Sequence, residues 1–481
     1  MPSHLHRPTI LGLSLTALAF LFVSPIRVRA QDEANGQGDE QPTLSDAVGD
    51  DLAKLDPLIK EKDYDGAMRL VEGILKEATP ESYDQAFLYK TEAQILTQKN
   101  DYNGAIKPLE ASVKIADRHH FFKVKEELDI LYFLSQLYYQ QADSQKGDRE
   151  LQVESFGKAL DYIERWIKMS PKVTEDISMY YSQILYAAAV AKDPAHPDAG
   201  LIHQARLQVE KTLRMTPHPK DGVYVFLLAT LQQEVDYTAA SDVLELLLAK
   251  NPNNKTYWMD LNMFYMALAQ DPKNKNPETI RRYNIRAIDT IERAQALGFM
   301  KTPRDNYTLF TLYYNIGQYG MAADLLFSGL ESGGIDSTLD NWLLLSASYQ
   351  QINQDFKSIE VLEEASKRYP TNGELEFKIA QVYQSMDDNL KAYSHCVEAL
   401  ARGHVAKPQQ TYIFLAYMAY ELGKFDEAKV AIDKSIELMA KPDHQALGLR
   451  GAIEEAIKER DAKKTDAAPA TAPAPAQDNK L

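Results

Sequence analysis

Histidine and cysteine are scarce in this chain, and their spacing does not suit catalysis or metal binding. The sequence has 10 histidines and one cysteine among 481 residues. His119 and His120 are adjacent, so on a helix they would point about 100° apart and could not easily share a metal ion. His196 and His203 are separated by a Pro-containing loop. We interpret both pairs as surface or capping histidines, and we expect no metal and no cofactor.

The common catalytic motifs are missing. The sequence contains no Gly-rich phosphate loop, no Gly-x-Ser-x-Gly elbow and no His-Glu-x-x-His helix. Carboxylates are plentiful, but they are spread along polar helix faces and no pair stands out. The single cysteine, Cys396, falls at a packing position, where we expect a buried small hydrophobic side chain rather than a reactive thiol. We therefore predict a non-enzymatic protein with no catalytic residues.

The charge balance narrows the class of partner. The chain has 53 basic and 69 acidic residues, which gives a formal net charge of -16. Nucleic acids and anionic lipids bind to positively charged surfaces, so neither is expected as the main partner. A basic segment of another protein is compatible with this charge.

The elements that must position the remaining side chains are repeated helical hairpins. From Pro303 to about Leu438, large and small residues recur with shifts of 36, 34 and 36 residues. Counted along each repeat, large residues occupy positions 4, 11, 17 and 24, small residues occupy 8, 20 and 27, and Gly favours position 15. The last copy shows this through Tyr412, Leu415, Ala416, Gly423, Phe425, Ala428, Ile432 and Ser435.

This pattern resembles the tetratricopeptide repeat (TPR) family. Small residues let two antiparallel helices approach closely, large residues fill the space around them, and neighbouring hairpins must stack to bury their apolar faces. The resemblance implies an all-α fold, a right-handed superhelical solenoid of about nine TPR-like hairpins plus a C-terminal capping helix. The alternative is an unrelated all-helical domain. Near copies at 62–67 and 100–105 extend the pattern into the first half, where longer helices or an extra turn should absorb a stretched period.

The chain divides into five predicted segments. Residues 1–30 have the features of a secretory signal peptide, with an apolar run from Ile10 to Val23 and a cleavage site near Ala30. An uncleaved anchor is the alternative. Residues 31–43 are predicted to be a disordered acidic lead, and 463–481 a disordered Ala/Pro-rich tail. Between them lie divergent TPR-like repeats (44–302), then regular repeats with the capping helix (303–462). We expect an exported protein, periplasmic in a bacterium, with no integral span in the mature chain.

The TPR resemblance also implies a partner-binding groove. In such solenoids the first helix of each hairpin lines the concave face through positions 2, 5, 9 and 12. The candidate groove residues are Tyr307, Thr311, Tyr314, Leu343, Ala347, Gln350, Lys378, Gln381, Gln384, Gln410, Ile413, Tyr417 and Tyr420. Aromatic side chains flanked by amides suit an extended peptide or a partner helix. The alternative is that the tyrosines pack on the adjacent hairpin. The Lys/Asn array of carboxylate-clamp TPR domains is missing.

The turns between hairpins in the last third share a signature. Gly298, Gly333 and Gly403 stand where a helix would end in a left-handed cap, and Pro303 and Pro408 precede the next helices. Together with the signal segment, these turns resemble periplasmic TPR proteins that accompany TonB, ExbB and ExbD. The resemblance covers about residues 297–438. It implies an accessory of a TonB-type outer-membrane uptake complex, with TonB- or ExbD-like periplasmic domains as partners. A scaffold for cell-wall, pilus or secretion components is the alternative.

Overall fold

The computed structural model describes residues 42–145 and 147–466. In these ranges all regular structure is helical and no strand occurs. The predicted signal segment lies outside the described residues, as do most of the predicted acidic lead and of the Ala/Pro-rich tail. The helices are α1 (Asp46–Leu52), α2 (Leu55–Lys60), α3 (Tyr64–Glu77), α4 (Tyr83–Gln98), α5 (Tyr102–His119), α6 (Val124–Ser144), α7 (Arg149–Met169), α8 (Glu175–Ala191), α9 (Ala199–Leu213), α10 (Asp221–Gln233), α11 (Tyr237–Lys250), α12 (Lys255–Gln270), α13 (Pro277–Ala296), α14 (Pro303–Asn315), α15 (Tyr319–Ser332), α16 (Leu339–Gln351), α17 (Asp355–Arg368), α18 (Gly373–Ser385), α19 (Asn389–Arg402), α20 (Pro408–Glu421), α21 (Phe425–Glu437) and α22 (His444–Asp466).

The helices from α4 to α21 form consecutive hairpins, each with a first and a second helix. In most hairpins the tightest packing joins the two helices of the pair, and the other substantial contacts run to the next helix along the chain. The chain divides into two compact units, Met1–Pro252 and Asn253–Leu481. Each unit is built from such hairpins, which confirms the predicted all-α, TPR-like solenoid. The predicted change of repeat regularity at residue 303 stays a prediction.

Small buried residues bring the two helices of a hairpin together, as the repeat pattern predicts. Ala380 of α18 and Ala392 of α19 are both fully buried. In the preceding hairpin these positions hold Ser346 and Ser358, whose hydroxyl oxygens lie 2.7 Å apart in a buried hydrogen bond. Cys396 of α19 is fully buried and forms no disulfide bond. Burial raises the pKa of its thiol to about 12. The prediction of a small packing residue there is confirmed.

The first half departs from the regular repeat in two ways. Helices α6 and α7 are 21 residues each, whereas α20 and α21 have 14 and 13, so longer helices absorb the stretched period as predicted. The first helix before α3 is broken into α1 and α2. Pro57, the third residue of α2, has no N–H to donate, and its ring would clash with the carbonyl of Ala53, where α1 ends.

Where the turn inside a hairpin is short, it places repeat position 15 in a left-handed conformation. Gly317 and Gly423 have φ of 76° and 71° there, and Asn353, Asp387 and Val235 take φ of 55°, 62° and 58°. The following residue is the N-cap of the second helix. Where it is Asp, its carboxylate accepts a hydrogen bond from the free backbone N–H three residues on, as Asp388 does from Lys391 at 3.1 Å.

The turns between the late hairpins also use glycine as predicted. Gly298, Gly333 and Gly403 have φ of 88°, 74° and 73°. Gly333 is a left-handed helix cap. Gly403 differs from Gly333, because its ψ of -163° lies outside the left-handed helical region and directs the chain away from α19.

Helix α22 covers the end of the last hairpin, where a capping helix was predicted. Ala446 and Ile453 are fully buried, and ion pairs of 3.0 Å join Arg450 to Asp433 and Lys429 to Glu454. The helix continues to Asp466, four residues past the predicted limit at 462. Among the described helices, none combines the length and the apolar character needed to cross a membrane.

Candidate functional site

The predicted groove residues lie on the first helices α14, α16, α18 and α20. Tyr307 and Tyr417 expose 36% and 42% of their surface. Gln410 is also exposed, whereas Ile413 is only 8% exposed and packs in the core of the last hairpin. The other candidates are half-buried: Thr311, Tyr314, Leu343, Ala347, Gln350, Lys378, Gln381, Gln384 and Tyr420.

Several of these side chains pack within their own hairpin. The ring of Tyr314 lies edge-on to Tyr319 at 5.0 Å, and Tyr420 lies 5.8 Å from Phe425. Tyr307 lies 5.7 Å from Phe310 but keeps its exposure. Packing therefore explains part of the tyrosine content, and Tyr307 and Tyr417 are the two groove aromatics with the most surface left for a partner.

On helix α18, the groove residue predicted at repeat position 5 is one residue too late in the sequence. The residue of α18 at repeat position 5 is Phe377, not Lys378, and Phe377 is buried against Phe414 with the rings perpendicular at 5.4 Å. Ile413 occupies the same position in α20 and is buried too. Lys378 instead donates a hydrogen bond to the amide oxygen of Gln381 at 3.1 Å, one turn along the helix. Position 5 therefore faces the core in these two hairpins, because its side chain fills the contact between successive first helices.

A polar cleft of about 690 Å³ opens where α17, α18 and α19 meet. Its floor is Glu376 of α18, which is only 5% exposed. The carboxylate accepts hydrogen bonds from Ser366 at 3.0 Å and from Nδ1 of His395 at 2.7 Å. Arg402 forms an ion pair with the same carboxylate at 3.0 Å. One carboxylate of a first helix therefore joins the two flanking second helices.

Opposing influences act on the ionisation of Glu376. Burial alone would raise the pKa of Glu376, but hydrogen bonds from His395 and Ser366, together with the charge of Arg402, outweigh it and hold that pKa below its ordinary value. The ring of His395 stacks on Tyr383 with centroids 5.3 Å apart, which fixes its orientation. The carboxylate is therefore charged at neutral pH and can only accept hydrogen bonds.

The carboxylate–imidazole pair does not make a nucleophilic centre. In hydrolases such a pair orients the imidazole toward a serine or cysteine. Here Ser366 donates its hydrogen bond to the carboxylate, and the neighbouring Ser394 donates to the backbone oxygen of Leu390 at 3.0 Å. Neither hydroxyl donates to His395, so the described contacts favour binding over catalysis.

Sequence reasoning missed this cleft, although a signal was present. Glu376 stands 36 residues before Tyr412 and 34 residues after Trp342, so the three residues occupy the same repeat position, position 4. Position 4 is a packing position that normally holds a large apolar residue. A carboxylate there requires buried partners, so the substitution itself pointed to a polar site.

A second, smaller cleft lies in the last hairpin. Tyr412 and Leu415 of α20 and Val430 and Ala431 of α21 line about 390 Å³, with acidic side chains at the rim. Val430 is 72% exposed.

The histidine pairs occupy separate local contacts. His119 stacks on Phe121 at 5.0 Å, and His120 is the left-handed cap of α5. His196 lies 3.0 Å from Asp193, and His203 lies 2.8 Å from Glu234. Over the ranges that the structure describes, no group of three or more His, Cys, Asp or Glu residues is arranged to hold a metal ion.

No protein-family profile matches the chain, and no curated protein matches it either. Solved structures show low-identity similarity. A MamA structure from Desulfovibrio magneticus is 16% identical and covers 37% of this chain and 94% of its own, with a TM-score of 0.28. The Cut9–Hcn1 hetero-tetramer of the APC/C is 14% identical over 86% of this chain and 91% of that chain, with a TM-score of 0.26. A tetratricopeptide repeat protein from Parabacteroides merdae is 14% identical over 56% and 99%, also with a TM-score of 0.26. The TPR-like hairpins are shown by the packing of this chain's own helices.

Proposed function

We propose that this protein is a non-enzymatic scaffold that binds a segment of another protein on the first helices of its Asn253–Leu481 unit. The observation that carries the proposal is the exposure of Tyr307 and Tyr417, at 36% and 42%, on helices whose other large aromatic residues are mostly packed. Tyrosine offers a large apolar ring and a hydroxyl at low entropic cost, which suits protein recognition. The amides of Gln350, Gln381 and Gln410 can satisfy the backbone of a bound segment.

We further propose that the partner is a TonB- or ExbD-like periplasmic domain. Two sequence features support this: the export-type N-terminal segment and the glycine turns of the last third, which resemble those of periplasmic TPR proteins of uptake systems. Cleavage near Ala30 would release the chain into the periplasm. Loss of the gene should then reduce TonB-dependent uptake, and unchanged uptake would contradict this finer role.

The experiment is photo-crosslinking in intact cells with a photoreactive residue at position 417. A matched chain carries the same residue at Lys434, an exposed position on the second helix α21. Specific capture at 417 and not at 434, by a TonB- or ExbD-like protein identified by mass spectrometry, supports both parts of the proposal. Capture of cell-wall, pilus or secretion components at 417 keeps the scaffold and replaces the partner. Equal capture at both positions contradicts the first-helix site.

Tyr417→Ala provides the quantitative version of the same test. Because Tyr417 is 42% exposed, its truncation should leave the thermal midpoint within about 2 °C of the wild type. Affinity for the captured partner should fall at least about tenfold, as for an aromatic contact at the centre of an interface. Unchanged affinity would show that this tyrosine does not contact the partner.

A further inference from the structure

We propose that the Ala/Pro-rich segment 467–476 of this chain docks into the apolar cleft of the last hairpin and covers it. The cleft is lined by Tyr412 and Leu415 of α20 and by Val430 and Ala431 of α21. None of these residues belongs to the predicted groove. The inference therefore does not rest on the first-helix site, and the two can fail separately.

The apolar surface of the cleft continues onto the neighbouring second helix, α19. Leu390, Tyr393 and Val397 are spaced by three and four residues, so they share one face of α19. Tyr393 donates a hydrogen bond to Glu427 of α21, which shows that this face is turned toward α21. Leu390 is 62% exposed, Val397 43% and Val430 72%. These side chains and the cleft together form an apolar groove between α19 and α21.

The segment that follows α22 leaves the structure close to this groove. Arg460, near the end of α22, pairs with Asp426 in the first turn of α21 at 2.6 Å. Asp426 also lines the cleft. From Arg460, α22 continues to Asp466, a further length of about 9 Å. An extended chain advances about 3.3 Å per residue, so a few residues beyond Asp466 are enough to return to the cleft.

The composition of residues 467–476 suits an apolar groove with aromatic rings. The segment reads Ala-Ala-Pro-Ala-Thr-Ala-Pro-Ala-Pro-Ala and has no charged residue. Its prolines favour the polyproline II conformation, which aromatic-lined grooves bind at low entropic cost. In that form these residues span about 30 Å, compared with about 20 Å for α21. Tyr393 and Tyr412, both partly buried in the core of the last hairpin, supply the rings.

Charge and covalent attachment favour this segment over a separate molecule. Asp426 and Glu427 lie at the rim of the cleft, and a second copy of this chain has a net charge of -16, so its approach is opposed by repulsion. An attached segment has an effective concentration of about a millimolar, so even a weak contact is populated. Once docked, the segment keeps other proline-rich segments away from this surface.

The test uses the full chain with labelled leucine and valine methyl groups and a nitroxide attached at Gln477→Cys, next to the docking segment. Cys396 is fully buried, so the label attaches at position 477. Leu415 lines the cleft and Leu345 lies in the core around α16, so they serve as reporter and reference. We expect the nitroxide to broaden the Leu415 methyl signals and to leave those of Leu345 unchanged. Methyl signals are used because the segment contacts side chains, whereas the helices make their backbone hydrogen bonds internally.

Two variants separate docking from simple tethering. Val430→Asp places a carboxylate in the cleft at an exposed site, and Val124→Asp is the matched control at an exposed site on α6. Broadening at Leu415 should fall at least about threefold in Val430→Asp, because the apolar segment would have to desolvate the new charge, and it should persist in Val124→Asp. The triple variant Pro469→Gly, Pro473→Gly and Pro475→Gly keeps the tether length, removes the extended preference and should also reduce the broadening.

Three results would each overturn the proposal. Broadening at Leu415 no stronger than at Leu345 would place the segment away from the cleft. Equal broadening with and without Val430→Asp would show that the label is near only through its tether. The third result comes from mixing isotope-labelled chains that lack the nitroxide with unlabelled chains that carry it. Broadening at Leu415 in that mixture would show that the segment in the cleft belongs to a second copy.

Discussion

At the scale of single residues, basic side chains near the ends of second helices cover the residue at repeat position 4. In three hairpins the covered residue is aromatic, and the cation lies over its ring, an arrangement that stabilises by about 0.5–2 kcal/mol. The pairs are Lys250 over Tyr224 at 4.8 Å, Arg293 over Trp258 at 5.0 Å and Arg368 over Trp342 at 5.0 Å. Arg402 with Glu376 is the ionic version of the same pair, at 3.0 Å. The polar cleft is thus a local variation of a repeated contact.

The Glu376→Gln variant should lose stability in a pH-dependent way. The pKa of Glu376 is lowered by folding, so the native contacts stabilise the charged form. The unfolded state then binds the proton more readily, and stability rises with pH through the window below the ordinary glutamate pKa of about 4.3. We expect the variant to be less stable by about 1–3 kcal/mol at pH 7 and the difference to shrink as the pH falls below about 4.

Urea unfolding between pH 3 and pH 7, followed by circular dichroism, measures this difference. Glu360→Gln is the control, because Glu360 is exposed on α17 and does not line the cleft. A constant offset between wild type and Glu376→Gln at every pH would show that the carboxylate is not tied to its partners by charge.

At the scale of the element, the turn within each hairpin fixes how its two helices meet. In the hairpins with a short turn, repeat position 15 takes a positive φ, which Gly317 and Gly423 adopt without strain. Val235 adopts φ 58° in the hairpin of α10 and α11, although a β-branched side chain disfavours that region. Its side chain is 62% exposed, so little packing offsets the strain.

Val235→Gly should therefore stabilise the protein. The left-handed conformation costs an L-residue roughly 1–2 kcal/mol, and part of the gain is lost to the greater freedom of glycine in the unfolded chain. We expect a net gain of about 1 kcal/mol, seen as a rise of about 2–4 °C in the thermal midpoint. Leu246→Gly, at an exposed site within α11, is the control and should lower the midpoint. A lower midpoint for Val235→Gly would mean that this turn is not strained.

The repeated hairpins could be predicted from sequence because their packing is encoded by small residues at fixed spacing, as at Ala380 and Ala392. Local exceptions could not. Ile413 was assigned to the groove from its position, yet it is 8% exposed, since burial depends on the neighbouring hairpin. Glu376 stands at position 4 in the sequence, but its partners Ser366, His395 and Arg402 follow only from how α17 and α19 pack against α18. The break before α2 follows from Pro57, whose effect on a short first helix the repeat pattern does not contain.

At the scale of the whole molecule, the substantial contacts join helices that are neighbours in the chain. A terminal hairpin therefore depends on the helix beside it. A chain ending at Lys441 lacks α22 and exposes the surface that Ala446 and Ile453 cover. We expect backbone hydrogen exchange in α20 and α21 to speed up at least tenfold, while α14–α17 keep their protection.

A chain ending at Asp466 is the control for this truncation. It retains all of α22 and should keep the protection of α20 and α21. Uniform acceleration from α14 to α21 in the shorter chain would show that the Asn253–Leu481 unit opens as one cooperative block.

Contacts between chain neighbours also bear on how the protein folds. Each hairpin closes a short loop, so its formation needs little chain entropy and no distant partner. Helices α4 and α5 have their mutual interface available before α8 has been synthesised. Folding can nucleate at any well-packed hairpin and spread in both directions. A stalled or truncated nascent chain would then hold finished hairpins and leave apolar surface only on its last one.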